Sequence, residues 1–154
     1  MDNITITVDT REQNPWSFSK SKIVGDVVSK KLDTGDYSVL GMESVFCIER
    51  KASTSEIANN FTESRWKDVL TRLSKFQYKY IICEFSYDDV MNFPYNSGIP
   101  VRMYDKIKIQ PAFLISCLAK IQVFYNIPVI YAGNSICAES IAESLIKKVV
   151  ENGR

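Results

Sequence analysis

The stretch that decides the fold is DTGDYSVLGMESVFCIERK, residues 33–51. Residues 45–48 (VFCI) are apolar and rich in β-formers, which is typical of a buried strand. Residues 37–40 (YSVL) are typical of the strand that precedes it, and residues 41–44 (GMES) of the turn between the two. The pattern therefore predicts a β-hairpin.

This hairpin brings charged side chains from its two strands together. Asp36 follows a glycine and begins the first strand, whereas Glu49, Arg50 and Lys51 end the second. Because successive side chains of a strand point to opposite faces, Glu49 and Lys51 share a face and Arg50 points away. Folding the hairpin places Asp36 near Glu49. Two carboxylates and an ammonium thus converge at one edge of a sheet.

Such a group of side chains suits metal-assisted hydrolysis. Mg²⁺ or Mn²⁺ binds to one or two carboxylates, keeps several waters and takes substrate phosphate oxygens as further ligands. Lys51 would orient the attacking water or stabilise charge in the transition state. An acid-x-lysine triplet alone is common, and a solvated ion pair explains it. The Gly35-Asp36 pair on the neighbouring strand is what favours a metal site.

Two further acids follow the first strand of the chain. Residues 4–8 (ITITV) alternate between apolar and polar and predict a strand, after which come Asp9, Arg11 and Glu12. The carboxyl end of a strand is a common position for functional groups in α/β sheets. Alternatively, Asp9 caps the turn and Glu12 pairs with Arg11 in solvent. Spacing alone favours this second explanation slightly.

Composition limits the class of protein. The chain has 154 residues, of which 45% are hydrophobic, so a single domain over residues 1–154 with a full core is expected. Histidine is absent and the four cysteines form no CxxC pair, which argues against a zinc site and against histidine-based acid–base catalysis. The net charge of +1 means that any surface for nucleic acid must be local.

The cellular location is inferred from the same composition. The cysteines lie apart in apolar contexts, as reduced core residues of a cytoplasmic protein do. Residues 1–3 are not basic, so no signal peptide is expected. No apolar run is long enough for a transmembrane helix, and no membrane association is expected.

The remaining elements alternate between strands and helices. Ser53, with Glu56 three residues later, predicts a helix start with a capping box. A helix over 111–125 is apolar on nearly every face, which indicates burial or a partner. Further strands are expected at 27–32, 78–84 and 127–131, and further helices at 62–76 and 135–150. This order predicts an α/β fold, a central mixed sheet flanked by helices on both faces.

The motifs carry a family resemblance. Asp9-x-x-Glu12, then Gly35-Asp36, then Ile48-Glu49-Arg50-Lys51 resembles the nuclease domain of the XPF family of structure-specific endonucleases. That family has a GD…ERKxxxD signature and belongs to the restriction-endonuclease-like, PD-(D/E)XK superfamily. The resemblance covers most of the chain and implies the restriction-endonuclease-like form of the α/β fold.

The resemblance also implies roles at a Mg²⁺ or Mn²⁺ site. Asp36 and Glu49 would bind the metal, with the backbone carbonyl of Arg50 completing the shell, and Lys51 would be the catalytic lysine. Asp9 and Glu12 would be supporting acids, of which Glu12 is the one expected to touch the metal or its water. The signature places an aspartate where this chain has Ser55. Glu56 follows immediately and is a candidate replacement.

Candidate DNA contacts are four arginines. The family's equivalent of Arg50 is a phosphate-binding or structural residue, and the helix over 62–76 is expected to pass near the active site. The four candidates are Arg11, Arg50, Arg65 and Arg72.

The function implied is hydrolysis of branched, flapped or forked DNA by a metal-dependent endonuclease, in DNA repair or recombination. The chain shows neither a helicase region nor tandem helix-hairpin-helix modules, and in this it resembles the compact versions carried by phages and mobile elements. A bacterial or phage-infected cytoplasm is the location expected. A homodimer through the late elements is expected, or a second DNA-binding protein that supplies affinity. The alternative is a non-catalytic DNA-binding or scaffolding subunit of a nuclease complex.

Overall fold

The computed structural model describes residues 3–153 as a six-stranded mixed sheet in the order β2-β1-β3-β4-β5-β6, with helices on both faces. The strands are β1 (Ile4–Val8), β2 (Val24–Ser29), β3 (Tyr37–Val39), β4 (Phe46–Lys51), β5 (Tyr78–Cys83) and β6 (Val129–Tyr131). The helices are α1 (Thr54–Phe61), α2 (Arg65–Ser74), α3 (Tyr87–Met91), α4 (Pro111–Phe124) and α5 (Ser135–Asn152), with a 3₁₀ turn at Val101–Lys106. Met1 and Asp2, on which the expectation about a signal peptide depends, lie outside the described residues.

The strand directions determine which side chains meet. β1 and β2, β4 and β5, and β5 and β6 pair in parallel, whereas β3 is antiparallel to both β1 and β4. The carboxyl ends of β1, β4 and β5 therefore lie at the same edge of the sheet as the amino end of β3. That edge is where ligands bind in open α/β sheets. It holds Asp9 after β1, Asp36 before β3 and Glu84 after β5.

One face of the sheet packs against α5. The core on this side contains Ile6 of β1 and Ile48 of β4, both fully buried, and the Ala138, Ala142 and Ile146 row of the helix. Residues four apart lie on one face of a helix, and the two alanines let its backbone approach the sheet closely. A larger side chain at Ala142 would overpack this layer at a cost of about 1–3 kcal/mol.

The opposite face packs against α1, α2 and α4. Its core joins Cys47 of β4 and Ile81 of β5 to Leu70, Leu114 and other buried helix residues. The mixed sheet with helices on both faces, predicted from the sequence, is thus confirmed. Within residues 3–153, no helix is long and apolar enough to cross a membrane.

The element boundaries differ most from the predictions at the starts of β2 and α2. β2 begins at Val24 rather than at residue 27, because its parallel register pairs Ile4 with Val24. Gly25 and Asp26 are poor strand formers, so the sequence hid this start. α2 begins at Arg65 rather than at residue 62, because Thr62 is the C-cap of α1.

Candidate active site

The β3–β4 hairpin sets the geometry of the site. Tyr37 pairs with Ile48 across the hairpin, and the Asp36 N–H donates to the Ile48 carbonyl at 2.8 Å. Beyond this pair, the Arg50 N–H donates to Asp36 Oδ2 at 2.7 Å. Asp36 and Glu49 line the same cleft, and they are near enough for the Glu49 carboxylate to act electrostatically on Asp36.

Gly35 is needed for the turn that presents Asp36. Its φ of +80° lies in the left-handed region that favours glycine. A Cβ at this position would lie 2.0 Å from Cys47 Sγ, far inside van der Waals contact. The Cys47 thiol also donates to the Thr34 carbonyl at 3.3 Å. The turn therefore lies directly on β4, and the Gly-Asp order has a steric cause.

Asp36 and Glu49 are both harder to ionise than ordinary carboxyl groups. Burial raises the pKa of Asp36 well above its usual value, and the Glu49 carboxylate raises it further. Burial also raises the pKa of Glu49, although Lys51 opposes this effect. The negative charge of Glu49 therefore disfavours ionisation of Asp36, and Glu56 and Glu12 act in the same direction on Glu49. A cation between them would remove this penalty.

The donor set fits Mg²⁺ or Mn²⁺. Among residues 3–153, no group of three or more carboxylate, thiol or imidazole side chains is placed to hold a metal ion. Mg²⁺ commonly uses one or two carboxylates and completes its shell with water and substrate oxygens. In a strand the N–H and C=O of one residue face the same side, and the Arg50 N–H faces Asp36, so its carbonyl lies on that side too.

Lys51 lies beside these acids and is buried, with 4% of its surface exposed. Its Nζ lies 3.1 Å from Glu49 Oε1 and 3.5 Å from Glu56 Oε1. Burial lowers the pKa of Lys51, but the two carboxylates outweigh burial and the pKa is raised overall. Lys51 is therefore a cation at neutral pH. It can donate hydrogen bonds to a water or phosphate oxygen, but it is not a base.

Asp9 and Glu12 differ in what holds them. Asp9 accepts the Leu32 N–H at 2.9 Å and Arg11 Nε at 2.7 Å, and its own N–H donates to the Asp36 carbonyl at 2.8 Å. Burial raises the pKa of Asp9, but these bonds outweigh it and the pKa is lowered. Asp9 thus fixes the backbone at Asp36. Glu12 lines the cleft.

Arg50 lies on the opposite face of β4 from Glu49 and Lys51, as alternation predicted. Its side chain is only 12% exposed and its guanidinium lies 4.7 Å from the Trp16 ring. Its hydrogen-bond acceptors are the Asn14 carbonyl at 2.7 Å, Tyr37 Oη and Glu84 Oε1 at 3.1 Å, and Glu12 Oε2 at 3.3 Å. This internal network differs from the phosphate contact expected of Arg50. It also changes the alternative pairing for Glu12, whose partner is Arg50 rather than Arg11.

A comparison with protein families gives a match to the ERCC4 domain over residues 8–144. The chain belongs to the ERCC4 domain family. Two structures of XPF from Aeropyrum pernix share the fold, one of them solved in complex with DNA. The first is 23% identical with a TM-score of 0.69, and the match covers 95% of this chain and 65% of the XPF chain. The second is 22% identical with a TM-score of 0.68, and the match covers 97% of this chain and 66% of the XPF chain.

This ERCC4 domain therefore spans about two thirds of the length of the solved chains that it matches. At these identities the likeness shows the fold alone. A comparison with curated proteins gave no match. The resemblance to the XPF family drawn from the motifs is confirmed by the family match.

The cleft of this ERCC4 domain has a volume of about 540 Å³ and three arginines in its lining. Arg11 and Arg65 are largely exposed, with 71% and 78% of their side chains accessible. Arg72 donates to Thr34 Oγ1 at 3.3 Å, which links α2 to the turn before Asp36. All three of the predicted DNA-contact arginines other than Arg50 therefore lie in the lining of this cleft.

Ser55 does not supply the acid that the family signature has at this position. Its hydroxyl donates to the Ser97 carbonyl at 2.8 Å and so ties α1 to the loop before the 3₁₀ turn. Glu56 instead lines the cleft and pairs with Lys51. Ser53 caps α1 as predicted, but Glu56 accepts the Ala52 N–H rather than that of Ser53.

Sequence reasoning missed three contributors to the site. Trp16 stacks on Tyr37 at 4.5 Å between ring centroids and donates its Nε1–H to Glu84 Oε2 at 2.8 Å. Trp66 of α2 lies against Lys51. The signal available for Glu84 was its place at the end of β5, next to β4. Nothing in the sequence marked either tryptophan.

Proposed function

We propose that this ERCC4 domain is a Mg²⁺- or Mn²⁺-dependent DNA endonuclease that hydrolyses phosphodiester bonds, with branched, flapped or forked DNA as substrate. The observation that carries the proposal is the half-buried pair of Asp36 and Glu49 beside the cationic Lys51, in a cleft whose lining includes three arginines. Neither core packing nor a surface ion pair explains two neighbouring carboxyl groups whose pKa values are both raised.

In this proposal the residues have separate tasks. Asp36, Glu49 and the Arg50 carbonyl hold the metal, and the Glu12 carboxylate supports it or its water. When bound, the metal lowers the pKa of a water and neutralises charge on the attacked phosphate. Lys51 donates a hydrogen bond to the attacking water or to a phosphoryl oxygen as negative charge grows there.

The remaining residues position and bind. Asp9 and Arg50 hold the backbone of Asp36 and the loop that carries Glu12. Arg11, Arg65 and Arg72 contact phosphates, which fixes the DNA in the cleft without reading its sequence. The substrate's own phosphates would bring the attacked bond to the water beside Lys51.

A cleavage assay tests the proposal. End-labelled fork, flap, junction and linear duplex DNA are incubated with Mg²⁺, Mn²⁺, Ca²⁺ or EDTA. We expect cleavage of the branched substrates with Mg²⁺ or Mn²⁺ and none with EDTA. Asp36→Asn and Lys51→Ala should each lose cleavage while keeping the circular dichroism spectrum of the wild type. Binding without cleavage by the wild type under every metal would instead identify a non-catalytic subunit.

We also propose that the protein acts as a homodimer. α4 buries Leu114 and Leu118, but Phe113, Val123 and Phe124 are 47%, 76% and 73% exposed. Exposed apolar side chains on one helix are typical of protein–protein contacts. Light scattering should give twice the chain mass for the wild type and the chain mass for Phe124→Asp. A monomeric wild type would favour a second DNA-binding protein as the partner.

A further inference from the structure

The ammonium of Lys51 lies between three side chains, only two of which are charged. Glu49 and Glu56 approach Nζ at 3.1 and 3.5 Å. The third is Trp66 of α2, whose ring centroid lies 4.6 Å from Nζ. That distance is within the range of a cation–π interaction, in which the negative face of the ring attracts the cation.

Packing alone does not explain a tryptophan at this position. Trp66 is 6% exposed, and its Nε1–H is buried with no hydrogen-bond partner among residues 3–153. An unpartnered buried donor costs about 1–3 kcal/mol, which a phenylalanine or leucine would avoid. The benefit that offsets this cost is the ring face, which is what Trp66 offers Lys51.

A neutral ring can restrict the Lys51 side chain without adding the negative charge that a carboxylate brings. A lysine side chain carries about 2 kcal/mol of rotamer entropy, so it must be held if its ammonium is to meet one atom of a substrate. The two carboxylates hold it by charge, and the Glu56 carboxylate also accepts the Ala52 N–H. The ring restricts the ammonium from the α2 side without adding negative charge to a cleft that must admit phosphate.

We propose that Trp66 is a positioning residue, which holds the Lys51 ammonium toward the cleft through its ring face. This inference rests on the proposed nuclease function, because Lys51 acts on the substrate there. Trp66 itself has no contact with the reacting atoms in this scheme. Its effect passes through Lys51 to the water or phosphate oxygen that receives the hydrogen bond.

Two substitutions separate the ring face from the indole N–H. Trp66→Phe keeps an aromatic face and removes the unpartnered donor, whereas Trp66→Leu removes the face. For buried partners such as these, a cation–π interaction of about 1–2 kcal/mol corresponds to roughly 5- to 30-fold in rate. We expect kcat for flap cleavage to fall by roughly 5- to 30-fold in Trp66→Leu and by at most about 3-fold in Trp66→Phe, with KM for DNA unchanged.

The control is Leu70→Ala, which alters the same buried side of α2 one turn away. It should lower the melting temperature yet leave kcat at the wild-type value, because Leu70 packs in the core rather than against Lys51. Equal losses of kcat in Trp66→Leu and Leu70→Ala would show that damage to α2 explains both, and would overturn the proposal. Equal losses in Trp66→Phe and Trp66→Leu would overturn it too, because the ring face would then be irrelevant.

A second measurement does not depend on cleavage. Metal-free protein is labelled with an amine-reactive ester, and mass spectrometry follows Lys51, with exposed Lys67 of the same helix as internal reference. Lys51 should label several-fold faster in Trp66→Leu than in the wild type, and at close to the wild-type rate in Trp66→Phe. An unchanged Lys51 rate in Trp66→Leu would show that the ring does not hold the ammonium. If the wild type cleaves no DNA, the nuclease proposal fails, whereas labelling still decides whether Trp66 holds Lys51.

Discussion

Replacement of Arg50 by methionine tests whether this arginine stabilises the site from within or binds DNA. Methionine keeps an unbranched stem of similar length and removes the guanidinium. In the structure that guanidinium donates to four acceptors and lies over the Trp16 ring. Its carboxylate partner Glu84 is 7% exposed and would be left without its cation.

The magnitude follows from this burial. Removing one partner of a buried ion pair costs about 3–5 kcal/mol, because the other charge stays buried without compensation. The side chains of Arg50 and Glu84 are 12% and 7% exposed, so solvent screening reduces this cost little. In a protein of 150–250 residues, 1 kcal/mol shifts the melting temperature by about 2–4 °C. We therefore expect Arg50→Met to melt roughly 6–20 °C below the wild type.

Urea unfolding and thermal melts measure this cost, with Arg65→Met as the matched control. The side chain of Arg65 is 78% exposed, so its loss should change the free energy of unfolding by less than about 0.5 kcal/mol. For DNA affinity we expect the reverse, with Arg65→Met binding DNA more weakly than Arg50→Met. Adding Glu84→Gln to Arg50→Met should recover part of the lost stability. Equal stability of the two single variants would refute the internal role of Arg50.

Three other substitutions test single features of the site. Gly35→Ala should cost about 2–5 kcal/mol in urea unfolding, from a clash with Cys47 and a positive φ, and adding Cys47→Ala should relieve the clash. Asp9→Asn should cost about 1.5–3 kcal/mol at pH 7. Because the pKa of Asp9 is lowered in the folded protein, its contribution to stability is present above the unfolded pKa of about 3.9 and is lost as pH falls through the folded pKa. The melting temperatures of Asp9→Asn and the wild type should therefore converge in acid. A difference that stays constant with pH would contradict this. Arg72→Ala should reduce the slope of log K against log salt by about 1, and an unchanged slope would exclude a phosphate contact.

The hairpin and its acids were predictable because they depend on local rules. Strand alternation placed Glu49 and Lys51 together, and the glycine turn placed Asp36 opposite them. Both features involve residues 33–51, so no knowledge of the sheet order was needed. The same is true of the capped start of α1 at Ser53, where a side chain and a backbone N–H three residues apart decide the outcome.

The partners of Arg50 and Lys51 were not predictable, because they come from elements distant in the sequence. Trp16 lies 34 positions before Arg50 in the chain, and Glu84 lies 34 positions after it, as the numbering shows. Only the order β1-β3-β4-β5 brings the three together. The structural role of Asp9 was not predictable for the same reason. Its carboxylate accepts a hydrogen bond from the N–H of Leu32, which follows β2 and is distant from Asp9 in the sequence.

The consecutive residues Glu49, Arg50 and Lys51 make the register of β4 decisive for the whole site. A slip by one residue would turn Arg50 into the cleft and move Glu49 and Lys51 onto the face that packs against α5. Two charged groups would then lie against an apolar layer without their partners, at several kcal/mol each. The contacts that prevent such a slip are those of the Gly35-Asp36 turn, since Cys47 fits only beneath a glycine and Asp36 binds the Arg50 N–H. The Gly-Asp pair therefore has two tasks, because it supplies a carboxylate and also fixes the strand that carries the others.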